Sequence, residues 1–451
     1  MIGLAPYAHY KLVNNIDCQL YPFTGSKTLF QGTLDGQGYA IRNLSIDGSS
    51  LFGEIAGSAV IKDLYIDSPV ISPQGSNSGI VATTARYDGE KAPTITNVHI
   101  LSAKADDEDY AGNFGGIAGQ ITTGTVITGC SMTDAYLNLP NATAGGIVGD
   151  INASGANVYA SYFTGCLVAA TAGGAVGHAS NGKVEDIHVD ADITGTLNAG
   201  GIIGNIGTSS SKRPTLSKCY VEGTVTSTNE TEAAAGGIAG FVTAGDSICI
   251  SNSVVALQSI TFETAAKATA HRIAGHSCAD DLGEILWEDP WWDECAEKGI
   301  DPDEHKELWP RAPVSPDKGF SRNYALASLA PVNGDEKMAA DATSVEGKST
   351  ATADQSFFTQ QGFAFGEDAS APWSYSEGKL ALWFEKDIKP ASIGLTHAPA
   401  DTQTIAFLGG VVTAAGNISI YTPAGIKVAS AAGTFPTSSL KPGMYIAVCG
   451  K

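Results

Sequence analysis

A six-residue phrase recurs eight times within the first 255 residues of the chain. It reads apolar, any residue, turn-former, small or aliphatic, any residue, apolar, and is called the bend phrase below. The instances are Ile41–Ile46, Ile61–Ile66, Ile95–Ile100, Ile127–Met132, Phe163–Val168, Val184–Val189, Leu216–Val221 and Ile250–Val255. A short unit that recurs at such intervals predicts a solenoid of stacked coils.

The apolar residues of the bend phrase stand at positions 1, 4 and 6, which fits neither a helix nor an uninterrupted strand. A bend at the third residue would explain the offset, because alternation restarts after it. The third residues are Asn43, Asp63, Asn97, Gly129, Gly165, Asp186, Lys218 and Asn252. All except Lys218 are Gly, Asn or Asp, which adopt left-handed backbone most easily. The phrase therefore predicts a strand that turns a corner.

A second phrase, Gly-Gly-aliphatic-x-Gly, lies between the bend phrases and is called the glycine corner. Its aliphatic residue and the equivalent positions outside the full phrase are predicted to point inward: Ile80, Ile117, Ile147, Ala175, Ile202, Ile238 and Ile273. The fourth residues of the bend phrases are predicted to form another inward column, with Cys130, Cys166 and Cys219 as small core thiols. Both patterns predict an all-β chain whose main domain is a parallel, right-handed β-helix.

The composition limits the partners that the chain can have. Its formal net charge is 26 − 47 = −21, which disfavours nucleic acids and anionic membranes because both require basic surfaces. No apolar run approaches the ~20 residues of a membrane span. We expect a monomer, because an acidic surface resists self-association. We also expect no cofactor and no bound metal, since no Cys-x-x-Cys or Cys-His cluster occurs. Cys278 and Cys295 flank an unusual insertion and could form a disulfide or remain free thiols.

Several stretches resemble a known family. The glycine corners and the opening Tyr10-Lys-Leu-Val-Asn-Asn-Ile-Asp17, followed by Phe30-Gln-Gly-Thr-Leu-Asp-Gly-Gln-Gly-Tyr-Ala-Ile41, are similar to GLUG-type repeats of surface proteins from Bacteroidota. Residues 355–384 resemble the phrase that closes such β-helices. The resemblance implies a β-helix over residues 1–385, including an insertion at 277–322 and a closing segment at 323–385.

The last fifty residues have a different character, with short β-rich runs separated by Pro and Gly. Ile418-Ser-Ile-Tyr-Thr-Pro-Ala-Gly-Ile-Lys-Val428 and Leu440-Lys-Pro-Gly-Met-Tyr-Ile-Ala-Val448 resemble the C-terminal sorting domain of secreted Bacteroidota proteins. The resemblance implies a linker at 386–402, a small antiparallel β-sandwich at 403–451, and a secreted or outer-surface location. We expect a leader to have been removed before Met1.

The insertion at 277–322 is the candidate ligand site. It contains four of the six tryptophans of the chain and many acids. Exposed indoles beside carboxylates can stack on sugars and accept their hydroxyl hydrogen bonds, so the candidate ligand-binding residues are Trp287, Trp291, Trp292, Asp289 and Asp293. The same tryptophans could instead fold inward as a flap over the β-helix.

Other acidic motifs favour structural roles. Asp35-Gly36 and Asp47-Gly48 are typical turn dipeptides, and the run Asp106–Asp109 lacks the ligand spacing of a defined calcium loop. The outward acids Glu185, Asp190, Asp192 and Glu222 match no catalytic signature, and no nucleophile elbow or phosphate loop occurs. No catalytic residue is therefore predicted.

Two classes of function remain. The first is a non-catalytic secreted or cell-surface protein of adhesin type that binds a glycan or another component of a host or bacterial surface. The alternative is a carbohydrate-active hydrolase or lyase, which would need clustered outward carboxylates on adjacent coils. The sequence favours the first class.

Overall fold

A computed structural model describes most of the chain. The described residues are 5–19, 26, 28–48, 50–207, 213–229, 232–243, 249–262, 267–277, 295, 319–332, 336–389, 406–408, 411–421, 427–436, 439 and 446–450. Pro6–Ala391 form one compact unit, and Ser392–Lys451 belong to a second.

The first unit is a parallel β-helix built from two sheets that stack coil upon coil. The larger sheet contains His9–Lys11, Ile16–Asp17, Thr33–Asp35, Ala40–Arg42, Ser45–Asp47, Val60–Asp67, Val70–Ser72, Asn77–Gly79, Thr94–Leu101, Lys104–Asp106, Asn113–Gly115, Val126–Thr128, Ser131–Gly145, Asn157–Gly173, Lys183–Gly200, Thr215–Ser217, Tyr220–Ser227, Glu232–Gly236, Ile250–Ser251, Val254–Val255, Ser259–Phe262, Lys267–His271, Phe320–Ser321, Tyr324–Leu326 and Lys348–Thr350. The second sheet contains Phe52–Ala56, Ala82–Arg86, Ala118–Ile121, Val148–Ile151, Val176–Ala179, Ile203–Ile206, Ala239–Val242 and Ala274–Ser277. The predicted fold class is confirmed.

The remaining elements are short. The closing segment contains an α-helix, Gln355–Gln360, two 3-10 turns, Met338–Ala340 and Glu385–Asp387, and an antiparallel pair, Trp373–Ser376 with Lys379–Leu382. The second unit is an antiparallel sheet of Ala406–Leu408, Val411–Tyr421, Lys427–Pro436 and Ile446–Gly450. Within the described part of the chain, no helix is both long enough and apolar enough to span a membrane.

The predicted bends are confirmed at all eight positions. Each third residue of the bend phrase has a positive φ, including Lys218 at 54°. The structure adds further left-handed bends that the sequence reading missed, among them Ala160 with φ 43° and Arg322 with φ 56°. Lysine and arginine at this position show that stacking between neighbouring coils can override the preference for Gly, Asn and Asp.

The bends do not all belong to one corner, which corrects the predicted alignment. Ile41 pairs with Ile66 rather than with Ile61, and Phe163 pairs with Val189 rather than with Val184. The phrases at 41 and 163 therefore occupy the following corner of the coil. Both corners use the same left-handed bend, so the phrase alone could not distinguish them.

The prediction that Cys166 lies in the inward column was consequently wrong. Cys130 and Cys219 are buried there, whereas Cys166 is half-buried on the outside of the coil. The inward place in that coil is taken by Ser161, which pairs with Ile187. Burial raises the pKa of the Cys130 thiol to about 12, so this thiol is a neutral core group.

The glycine corners are tight because successive coils touch there. A Cβ on Gly146 would lie 2.3 Å from the carbonyl oxygen of Gly174 in the next coil. The predicted inward residues from Ile80 to Ile273 are all fully buried. At the last corner Arg272 replaces the second glycine, and its side chain turns into the residues that cap the stack. Glycine is therefore required only where another coil follows on that side.

Candidate functional site

The ligand site predicted in the insertion lies outside the described residues. This applies to Trp287, Asp289, Trp291, Trp292 and Asp293, and also to Cys278 of the predicted cysteine pair. The structure instead reveals two outer regions of the β-helix that carry polar and aromatic side chains.

The first region is a column of outward residues that pair from coil to coil. Six of them are fifth residues of bend phrases, Tyr65, His99, Ser131, His188, Tyr220 and Val254, and Tyr162 and Tyr324 pair in line with them. Residues 353–388, called the strap, run back along the outside of the stack and cover this column. Phe357 packs 5.1 Å from Tyr324 at one end, and Phe384 packs 5.2 Å from His99 at the other, measured between ring centroids.

A charged group at the centre of this column fastens the strap. His188 Nδ1 lies 2.7 Å from Glu385 of the strap, and its Nε2 lies 3.3 Å from Glu222 on the neighbouring coil. These three residues are called the clasp. Burial alone would lower the pKa of His188, but the two carboxylates outweigh it and raise the pKa to about 10. His188 is therefore a cation at neutral pH with both ring nitrogens engaged, so it is not available as a general base.

The same column contains a histidine in the opposite state. His99 contacts Ser131 and Asn97 through its two nitrogens, at 2.8 and 2.7 Å. Burial lowers its pKa to about 4, so it is neutral at pH 7. The pKa values of His99 and His188 shift in opposite directions because the strap and the adjacent coil place carboxylates in contact with His188. His99 instead contacts the uncharged side chains of Ser131 and Asn97.

A second polar anchor holds the strap beside the clasp. The indole N–H of Trp373 donates to Asp186 at 2.7 Å, and Lys218 lies 2.7 Å from Glu185 and 3.5 Å from Asp186. Burial raises the pKa of Asp186, although the hydrogen bond from Trp373 opposes this rise. The bend residue Asp186 thus also binds the strap, and the bend residue Lys218 of the next coil pairs with the Asp186 carboxylate.

Of the outward acids noted in the sequence, Asp190 and Glu222 pair on adjacent coils. Partial burial, followed by the charge of Glu222, raises the pKa of Asp190. Burial also acts to raise the pKa of Glu222, but the hydrogen bond and charge of His188 prevail and lower it. Two carboxyls with opposite pKa shifts can act as a general acid and a general base. Glu222, however, is a member of the clasp and already pairs with His188.

Raising the pH is expected to release the strap. The folded pKa of His188 lies above its unfolded value, so its contribution to stability is complete below about pH 6.5 and is lost as the pH rises through about 10. Protease cleavage of the strap should therefore accelerate between pH 7 and 10. A His188→Asn variant should be cleaved faster at pH 7 and lack this pH dependence. An identical pH dependence in both proteins would contradict the assignment.

The second region is an uncovered face of the larger sheet, called the exposed face. It runs over eight coils, from Ser45–Asp47 and Val70–Ser72 to Ser259–Phe262. One outward column contains Val70, Lys104, Tyr136, Cys166, Asp192, Thr224 and Ser259, and the next contains Asp106, Asn138, Val168, Thr194, Thr226 and Thr261. The residues between the two columns, such as Leu137 and Ile193, are buried. The face is therefore a continuous, largely polar row of side chains above a buried layer of the core.

Tyr136 is an aromatic residue in one of the inner coils of the exposed face, and 46% of its surface is exposed. The Lys104 ammonium lies over its ring, 5.7 Å from the centroid, and also pairs with Asp106 at 3.4 Å. Asn138 donates to Asp106 at 3.0 Å. An accessible ring surrounded by oriented amides, carboxylates and hydroxyls can both stack on a sugar and hydrogen-bond to it.

The remaining acidic motifs shape turns. Asp35 accepts from the Gln37 backbone at 3.1 Å, and Asp107 accepts from the Asp109 and Tyr110 backbones at 3.0 and 3.1 Å. Gly48 has a φ of 104°. Within the described residues, no group of three or more His, Cys, Asp or Glu side chains could hold a metal ion.

Comparison with known proteins yields one distant structural likeness. A crystal structure described as that of a "putative immunoglobulin A1 protease" from Bacteroides ovatus matches with a TM-score of 0.34 at 19% identity. The match covers 48% of this chain and 69% of the other. No protein-family model and no curated protein matches the chain.

Proposed function

We propose that the protein is a non-catalytic, glycan-binding protein of adhesin type, exported to the outer cell surface or secreted. The observation that carries the proposal is the exposed face, a largely polar surface with the accessible ring of Tyr136 among hydrogen-bonding side chains. Sugars present both apolar C–H faces and hydroxyl groups, so a site for them combines an aromatic ring with oriented polar groups.

Charge limits the class of glycan. The chain carries a net charge of −21, and the exposed face offers Lys104 against Asp106 and Asp192. Uronic or sulfated polymers would be repelled by this negative charge, whereas uncharged glycans would experience no electrostatic repulsion. The resemblance to GLUG-repeat proteins and to sorting domains of secreted proteins supports the proposed location.

The alternative function, a hydrolase or lyase, would use Asp190 and Glu222 on the outside of adjacent coils. Their opposite pKa shifts favour it. Against it, His188 lies 3.3 Å from Glu222, and this contact belongs to the clasp that fastens the strap. A carboxylate that stabilises a buried cation is poorly placed to exchange protons with a substrate.

An array of purified neutral and acidic glycans should show binding to neutral glycans without turnover. We expect no release of reducing ends or unsaturated products, and an Asp190→Asn variant should bind as the wild type does. Product formation that Asp190→Asn abolishes would establish the alternative. Absence of binding to every glycan would overturn the proposal.

The tryptophan-rich insertion remains a second proposed contact surface on the same protein. If Trp291 and Trp292 form a platform, their joint replacement by alanine should weaken glycan binding about tenfold, because stacking contributes roughly 0.5–1.5 kcal/mol per ring. Binding of unchanged strength in this variant would leave the exposed face as the site.

A further inference from the structure

The exposed face contains a local recess at Cys166. Tyr136, Cys166 and Asp192 are Cα partners on three successive coils. Cys166 is small and half-buried, whereas the residues on either side of it are larger. The two flanking coils are about 10 Å apart, twice the spacing between neighbouring strands. These three residues form what is called the notch.

The two walls of the notch differ chemically. Lys104 lies over the Tyr136 ring from the coil on one side, and Cys166 lies on the coil on the other side, so the Tyr136 ring borders the notch. Asp192 forms the other wall, and Thr224 donates to it at 2.7 Å on the far side. One wall is therefore an aromatic surface and the other a hydrogen-bond acceptor held in place.

Size and charge indicate what fits between these walls. A single sugar ring could contact Tyr136 at about 4 Å while a hydroxyl donates to the Asp192 carboxylate at about 3 Å. The neighbouring column adds the polar groups of Asn138 and Thr194. An anionic sugar would meet the Asp192 charge without a facing cation, so the notch suits an uncharged one.

We infer that the notch holds one pyranose ring of an uncharged, extended glycan whose chain runs along the row of coils. This inference rests on the proposed glycan-binding function and adds the residues and the substrate class. The exposed face continues over eight coils, about 34 Å from first to last, which suits an extended β-linked chain better than a branched or coiled one.

Protection of a thiol provides a direct test. The native protein would be treated with N-ethylmaleimide at pH 8 with and without hexasaccharides of β-linked glucose, xylose or mannose, and each cysteine peptide would be quantified by mass spectrometry. The bound oligosaccharide should slow modification of Cys166 at least fivefold. Cys18, another half-buried cysteine, is the internal control and should react at an unchanged rate.

Variants test the same geometry through affinity. Cys166→Phe should fill the notch and weaken binding at least tenfold, while Cys166→Ser should bind normally. Tyr136→Ala should also lose about tenfold, and Thr96→Ala, at an exposed position that does not belong to the exposed face, should lose little. The thermal stability of each variant would be measured alongside.

The outcomes separate this inference from the proposed function. Binding of a neutral oligosaccharide that neither protects Cys166 nor responds to Cys166→Phe would overturn the notch and leave glycan binding intact. Binding only of acidic or branched glycans on the array would overturn the inferred substrate class. Failure to bind any glycan would overturn both.

Discussion

Replacing Ile117 with aspartate should prevent the β-helix from folding. Ile117 is fully buried at a glycine corner, and its backbone N–H donates to Ile147 in the next coil at 2.9 Å. A carboxylate there would have no cationic partner, and burying an unpaired charge costs several kcal/mol even after relaxation. The measurement is soluble yield together with circular dichroism, and we expect insoluble protein without a cooperative thermal transition.

Two controls distinguish charge from size and from position. Ile117→Val removes one methyl group and should cost about 0.5–1.5 kcal/mol. Thr261→Asp places the same charge on the exposed face and should leave the fold intact. A soluble Ile117→Asp protein with the wild-type spectrum would refute the inward placement of this column.

Removing Glu346 should destabilise the end of the stack by about 3–5 kcal/mol, the usual effect of breaking a buried ion pair. Arg272 and Glu346 are both almost completely buried, with 3.1 Å between Nε and Oε2. His271 contacts the other carboxylate oxygen at 2.8 Å. Glu346→Ala would leave the guanidinium without its counter-charge, and urea denaturation would measure the loss.

The double variant Arg272→Met, Glu346→Leu is the informative comparison. Replacing both members of a buried pair by apolar residues is often neutral or stabilising, so the double variant should recover much of the stability. A single variant that loses less than about 1 kcal/mol would mean that Arg272 is satisfied by its carbonyl partners, among them Leu329 and Gly347.

Left-handed bends could be predicted from the sequence where the bend residue is Gly, Asn or Asp, whereas the bends at Ala160 and Arg322 could not. Asn97 and Gly129, for example, are of residue types that adopt left-handed backbone easily, so their bends are predictable. The assignment of bends to corners could not be predicted in the same way, since it depends on pairing between coils. Phe163-Thr-Gly165-Cys166 reads like the other phrases, and only its pairing with Val189 and the following residues reveals the shift.

The outer regions were predictable only in part. The acids Glu185, Asp190, Asp192 and Glu222 were recognised as outward, but their partners come from distant parts of the chain. Glu385 is 197 residues from His188, and no local pattern relates the two. The exposed face was missed because its polar columns became visible only after the coils were in register. The alternation around Leu137 and Ile193 was the signal that could have found it.

The strap changes how the stack is expected to come apart. Coils that touch only their immediate neighbours can fray one at a time from an end, since each interface contributes separately to stability. The strap contacts Tyr324 at one end and His99 at the other. It therefore connects coils that are far apart in the stack. Loss of the terminal coils would then also strip the strap from the middle ones, so unfolding of these coils should approach a single all-or-none event rather than a gradual erosion.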